Sequence, residues 1–223
     1  MKITIIKNGP YIVDAGIPLT EVDSVAQGDG VSAYAPQKKH GEPDAPKTLC
    51  RCGHSKNKPF CDGQHMKIGF DGTETNSRKN YDEGAELLHG KVYNALDYPD
   101  LCAAGRICDV GIGFWEALHR SDDADKIYVE HVGRNCPSGR LTVVDKHTGQ
   151  KIEPELEQEI YLIRDVPAEH FGPIYVRGGI QIIGADGFAY ETRNRVTLCR
   201  CGASGNLPFC DASHLKCTHM ELD

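Results

Sequence analysis

Apolar and polar positions alternate in short runs, and the runs Lys2 to Ile6, Tyr11 to Val13, Ile174 to Val176 and Gly179 to Ile183 are bounded by Gly-Pro and Asp-Gly pairs. A period of two carried by β-branched and aromatic residues predicts strands with one buried face. The pattern changes between Asp82 and Val166, where Leu101 to His119 and Asp123 to His131 read as helical and Lys91 to Ala95 and Leu141 to Val144 as strands. The expected fold class is therefore α+β, mainly β. Two small β-rich modules, 1–81 and 167–223, flank an α/β segment at 82–166.

The two flanking segments repeat one another. Leu49-Cys50-Arg51-Cys52-Gly53 recurs 149 residues on as Leu198-Cys199-Arg200-Cys201-Gly202. Ser55, Pro59, Phe60, Cys61, Asp62 and His65 recur at the same spacing as Ser204, Pro208, Phe209, Cys210, Asp211 and His214. A fainter match, Gly9 to Ile17 against Gly172 to Ile180, is offset by 163, so the first copy carries about fourteen extra residues between strand and motif. The polar stretch Gln37 to Lys47 is the simplest place for them, as a surface loop.

Each copy presents three cysteines and one histidine. Two cysteines one residue apart lie on the same side of an extended segment and can reach one metal. The third cysteine and the histidine are four apart, so a short helix would show both on one face. Asp62 and Asp211 follow the third cysteine, where a carboxylate suits a helix start. Pro59 and Pro208 hold the preceding loop extended, and Phe60 and Phe209 can shield one side from water. Three cysteines and a histidine also form a structural zinc set, although zinc sites favour cysteines two to four residues apart. Visible absorbance separates iron-sulfur from zinc.

The pattern resembles the CDGSH iron-sulfur domain family. That resemblance implies one [2Fe-2S] cluster held by Cys50, Cys52, Cys61 and His65 and a second held by Cys199, Cys201, Cys210 and His214. It also implies an intrachain pseudo-dimer, with both halves supplied by one chain. Gln64 replaces a small hydroxyl residue of the family pattern and Ala212 replaces its glycine. An oxidised diiron core with three thiolates and a neutral imidazole sums to one negative charge, against two for four thiolates, so its potential should lie above that of all-cysteine clusters. Protons compete with iron for the imidazole, so the clusters should be acid-labile. Arg51, Lys56 and Lys58 surround the first motif and only Arg200 the second, which places the higher potential at the first.

In the middle segment Cys102, Cys108 and Cys136-Pro137-Ser138-Gly139 partially resemble a divergent single-cluster ferredoxin-like domain. Only three cysteines are present, without the compact spacings of four-iron ferredoxins, so they are read as packing residues. Phe114, Trp115 and Leu118 sit at helical spacing and read as packing too. Cys217, in a tail expected to be mobile, reads as a free thiol, and His54 has no counterpart in the second copy.

Composition narrows the function. Ten cysteines are many for an intracellular chain, and their spacing points to metal. With 32 acidic against 25 basic residues, the chain is ill suited to nucleic acid or anionic lipid. No apolar run reaches the roughly 18 to 20 residues of a membrane helix, and the run Met1 to Lys7 is too short for the apolar core of a secretory signal, so no export is expected. A cytoplasmic monomer is expected, working with a redox partner or an apo-protein acceptor. No catalytic triad, phosphate loop or paired carboxylates emerge, so no enzyme is expected. Electron transfer is the leading role, and cluster storage or transfer, or redox sensing, the alternative. A thiol-redox enzyme using Cys102, Cys108 or Cys136, or a structural zinc protein, ranks lower.

Overall fold

The computed structural model describes residues 1–42 and 44–222. Module one supplies β1 (Lys2–Ile5), β2 (Tyr11–Val13), β3 (Leu19–Gln27), β4 (Gly30–Lys39), β5 (Lys47–Leu49) and the single-turn helix α1 (Gln64–Lys67). The middle segment follows with α2 (Tyr81–Gly84), β6 (Glu86–His89), β7 (Tyr93–Asp97), α3 (Phe114–Leu118), α4 (Asp123–Asn135) and β8 (Leu141–Asp145). Then come β9 (Glu159–Asp165), β10 (His170–Arg177), β11 (Gln181–Ile183) and β12 (Arg195–Leu198). The fold is α+β and mainly β.

Three sheets result, in the orders β11-β1-β2-β5, β12-β10-β9-β3-β4 and β6-β7-β8. The first two carry the duplication. β1 and β2 form an antiparallel hairpin with Ile3 opposite Val13 and Ile5 opposite Tyr11. β9 and β10 repeat it with Ile160 opposite Val176 and Leu162 opposite Ile174. Each hairpin then receives a parallel strand from the other half: β3 runs beside β9, with Leu19 opposite Ile160, and β11 beside β1, with Ile182 opposite Ile3. The halves thus exchange strands and bury one another's apolar faces. Tyr11, Ile17, Ile160, Leu162 and Leu198, all inaccessible to solvent, come from both sides of the shared core. Burial of each such side chain contributes about 1.5–3 kcal/mol.

Two sequence expectations shift here. β9 falls inside the stretch 82–166, yet it pairs with β10 and β3 rather than with the middle sheet. The extra residues of the first copy fall only partly in a loop within Gln37 to Lys47, since β4 runs on to Lys39. Most of the added length lies in the β3–β4 hairpin, whose pairing runs from Thr20 opposite Lys39 to Gln27 opposite Gly30. β3 buries Leu19, Thr20, Val22 and Ser24, with a register shift between Glu21 and Val22, while it pairs edge to edge with β9. Pro43, within that stretch, lies outside the described residues. In the second half a turn at 184–188, closed by Ile183 opposite Ala189, stands where the long hairpin stands in the first.

In the middle segment α4 lays Val129 and Val132 on Val143 of β8, with Phe114 and Leu118 of α3 completing a second core. The helix expected over Leu101 to His119 is reduced to 3-10 turns at Pro99–Leu101 and Ile107–Asp109 plus α3. Ala104, Arg106, Gly111 and Gly113 take positive φ, which interrupts any continuous helix.

Candidate metal centres

Each site is built on the end of one strand and closed by one loop. Cys50 leaves β5, and the chain returns so that the Cys50 N–H donates to the Pro59 carbonyl at 2.8 Å and the Cys61 N–H to that of Thr48 at 2.9 Å. Cys199 and Cys210 repeat this with Pro208 and Thr197, both at 2.9 Å. Inside the loop the Ser55 hydroxyl donates to the Phe60 carbonyl at 2.6 Å and accepts from the Asn57 N–H at 3.0 Å. Ser204 does the same with Phe209 and Asn206, at 2.7 and 3.1 Å. The carboxylate after the third cysteine ties loop to helix: Asp62 accepts from the N–H groups of Lys56 and Gln64, and Asp211 from those of Gly205 and Ser213.

This frame brings the donors together in pairs. The Cys50 and Cys52 sulfurs are 3.8 Å apart and those of Cys199 and Cys201 3.5 Å. Sγ of Cys61 lies 3.3 Å from Nδ1 of His65, and Sγ of Cys210 lies 3.5 Å from Nδ1 of His214. Two thiolates bound at about 2.3 Å to one tetrahedral metal stand about 3.8 Å apart, so each pair already has the separation of ligands on a shared ion. Among the described residues no three His, Cys, Asp or Glu side chains are arranged to hold one ion. The short helix expected after the third cysteine is present in both copies, as α1 and as a 3-10 turn over Ser213–Lys216. Gly63 enters the first with φ 83° and Ala212 the second with φ 69°. Alanine thus adopts the family glycine's conformation, at a cost of about 1–2 kcal/mol.

Electrostatics set one thiol of each Cys-x-Cys pair apart from the rest. The hydrogen bond from Cys52 draws the Cys50 thiol down to about 6 against its burial, with help from backbone N–H groups. Cys201 holds Cys199 at about 7 in the same way. Cys52 and Cys201, the donors, are pushed up, and burial raises Cys210 well above the ordinary thiol range. Burial, followed by the Arg200 and His170 charges, lowers His214 to about 4, keeping its imidazole neutral. One thiolate per cysteine pair and a neutral ring are the forms that bind metal.

Between the two sites the backbones touch. Cys52 and Cys201 face each other in an antiparallel bridge across the pseudo-two-fold. A Cβ on Gly53 would lie 2.7 Å from the Cys201 carbonyl oxygen, and one on Gly202 2.8 Å from that of Cys52. Both motif copies therefore need glycine after the second cysteine. The arginine between the cysteines points the other way: Arg51 donates to the carbonyls of Gly9 and Ile6, and Arg200 to those of Gly172 and Ile163. Burial lowers Arg200 to about 10, and its charge reaches Cys50 of the first site as well as Cys210 and Cys201 of the second. Positive charge is thus not divided between the sites as the motifs alone suggest.

Several contacts had no signal in sequence. The Tyr11 hydroxyl, buried in module one, donates to the Cys199 carbonyl of the second site at 2.7 Å, with a longer contact to Pro208. The second copy has Ile174 in its place, so the repeat gives no hint of it. His54 stacks on His219, ring centroids 4.1 Å apart, and His219 Nε2 lies 3.0 Å from the Cys201 carbonyl. The tail is packed, with Met220 buried and the Cys217 thiol donating to Ser213. Cys102, Cys108 and Cys136 are not sealed in a core. All three line one cavity of about 190 Å³, together with Arg106, Arg140 and Trp115. Trp115 is 38% exposed beside that cavity, while Phe114 and Leu118 pack as expected.

The model of the iron-binding, zinc-finger-type CDGSH family matches residues 8–66 and 171–215. Both matched regions therefore belong to the CDGSH iron-binding family, and the chain carries two such regions in tandem. No match was found among curated proteins or solved structures. No helix among the described residues is long and apolar enough to cross a membrane.

Proposed function

We propose that the chain binds two [2Fe-2S] clusters, one through Cys50, Cys52, Cys61 and His65 and one through Cys199, Cys201, Cys210 and His214, and serves electron transfer. The observation that carries this is the donor geometry: two pairs per site, each at the spacing of ligands on one metal, with no three donors among the described residues converging on a single ion. When bound, such a cluster accepts and returns one electron. The protein's part is to hold the donors in a loop fixed by Ser55, Asp62, Ser204 and Asp211, to limit water at the sulfurs, and to offer an imidazole that can take a proton once released from metal. The partner is a redox protein or an apo-protein acceptor, neither nucleic acid nor membrane, and the pseudo-dimer acts as a monomer in the cytoplasm without enzymatic turnover. Iron and sulfide analysis with electron paramagnetic resonance on anaerobically purified protein tests this, with about four irons and four sulfides per chain expected. A colourless, zinc-loaded chain refutes it.

A second reading is favoured by the cavity that gathers Cys102, Cys108 and Cys136 from separate segments. These thiols would hold a further thiolate-bound centre, as the ferredoxin-like resemblance implies, with the Arg140 guanidinium, itself paired with Asp97, beside Cys102. Iron per chain then exceeds the value for two clusters and drops in Cys136→Ala. Equal iron content in both proteins removes this reading.

A further inference from the structure

The two candidate centres share their wiring but not their cover. In the second, His214 is 2% exposed and Cys210 3%. Their counterparts His65 and Cys61 are only half-buried, and α1 has no buried residue. Met66, next to His65, is 75% exposed. The cause lies in the strand exchange. β3 and β4 belong to module one but pack beside β9, so their long hairpin reaches the second site. There Val31 and Tyr34 join Ala103, Ala104 and Gly105 of the middle segment and Asp165 around His214, leaving a residual void of about 10 Å³. The Arg106–Asp165 ion pair and the Tyr34–Tyr175 ring contact fasten this roof. By the same symmetry the turn at 184–188 stands in the hairpin's place toward the first site. It is too short to roof it, and it ends against Glu74 and Arg78.

We infer that the two centres divide the labour: the first gives up its cluster through the open Cys61–His65 edge to an acceptor protein offering cysteine thiols, and the second retains its own. This rests on the two-cluster reading above and adds which cluster moves. In the transfer the four iron bonds to Cys50, Cys52, Cys61 and His65 break and four to acceptor sulfurs form. Four acceptor thiols lose protons, the three released cysteines take up three, and one proton goes to solvent. Iron and sulfide keep their oxidation states, so no reductant or oxidant is needed. An incoming thiolate can reach iron only on a side of the site open to solvent, here the side of the third cysteine and the histidine. At the first site that side is open, whereas at the second it is reached only after the hairpin or the 103–105 segment lifts, a local opening that slows exchange by at least about tenfold.

The test mixes the loaded full chain, without oxygen, with an apo-ferredoxin carrying four cysteines, and counts retained clusters by native mass spectrometry while visible circular dichroism follows the acceptor. Two phases are expected in the unaltered chain. The fast phase disappears in Cys50→Ala and persists in Cys199→Ala. Tyr34→Ala, whose hydroxyl has no hydrogen-bond partner among the described residues, should speed the slow phase and leave the fast one unchanged. A single common rate in the unaltered chain, or a fast phase that survives Cys50→Ala and vanishes in Cys199→Ala, overturns the inference while leaving the two-cluster reading intact. A chain that never carries iron and sulfide overturns both.

Discussion

Tyr11→Phe isolates how strongly one module supports the other's candidate centre. The hydroxyl donates to the Cys199 carbonyl at 2.7 Å from a position with no solvent access. The ring stays, so packing is conserved and only the polar contact goes. A neutral hydrogen bond contributes about 1 kcal/mol net, and a buried acceptor left without a donor costs about 1–3 kcal/mol. The Pro208 carbonyl keeps the Cys199 N–H, so only the Cys199 oxygen loses its named donor. The expected loss is therefore about 2 kcal/mol, which for a chain of this size lowers Tm by about 4–8 °C. Scanning calorimetry of the metal-free protein measures it. In the loaded protein the second cluster, not the first, should be lost faster on dilution into chelator, although residue 11 lies in module one. An unchanged Tm, or faster loss confined to the first cluster, refutes the assignment of this contact as a brace between modules.

Other expectations follow from single contacts. Ala212→Gly should raise stability by about 1 kcal/mol, because the alanine sits at φ 69°, and calorimetry showing destabilisation would count against that strain. Glu153→Ala strips the partner from Arg195, itself 1% exposed, and should cost about 3 kcal/mol in urea unfolding. Burial acts to raise the Glu153 carboxyl, but Arg195 and Asn194 outweigh it and hold it below the ordinary value. Its stabilisation is thus full above the unfolded pKa of about 4.3 and is lost as pH falls through the lower folded value. Glu153→Gln should flatten that acid limb in the metal-free chain. Asp211→Asn weakens the tie between the second ligand loop and its helical turn and should hasten cluster release there, read by visible absorbance.

The approach of Cys50 to Cys52 and of Cys61 to His65, with their repeats, was legible because their spacing is local. A one-residue gap on a strand and a four-residue gap on a helical turn decide which side chains face together, whatever the rest of the chain does. The β1–β2 hairpin was legible for the same reason. What escaped was set by contacts distant in sequence. β9 looked like part of the middle segment because nothing in Glu159 to Asp165 says which neighbour it will choose, and its partners Leu19 and Ile174 lie on opposite sides of it in the chain. Convergence of Cys102, Cys108 and Cys136 was hidden by the two helices between the second and third. The roof over His214 could not be foreseen without knowing that the extra residues of the first copy would extend a hairpin onto the opposite half.

Reciprocal lending of β3 and β11 has a consequence for how the duplicated chain behaves when cut. Residues 146–148 form an exposed turn in the middle segment. Hydrolysis there would leave two fragments still clasped through parallel strand pairs on both sides of the pseudo-axis, co-eluting until denaturant separates them. Neither fragment alone keeps all the strands its own hairpin packs against, so the covalent link serves stoichiometry and the interlock serves cohesion.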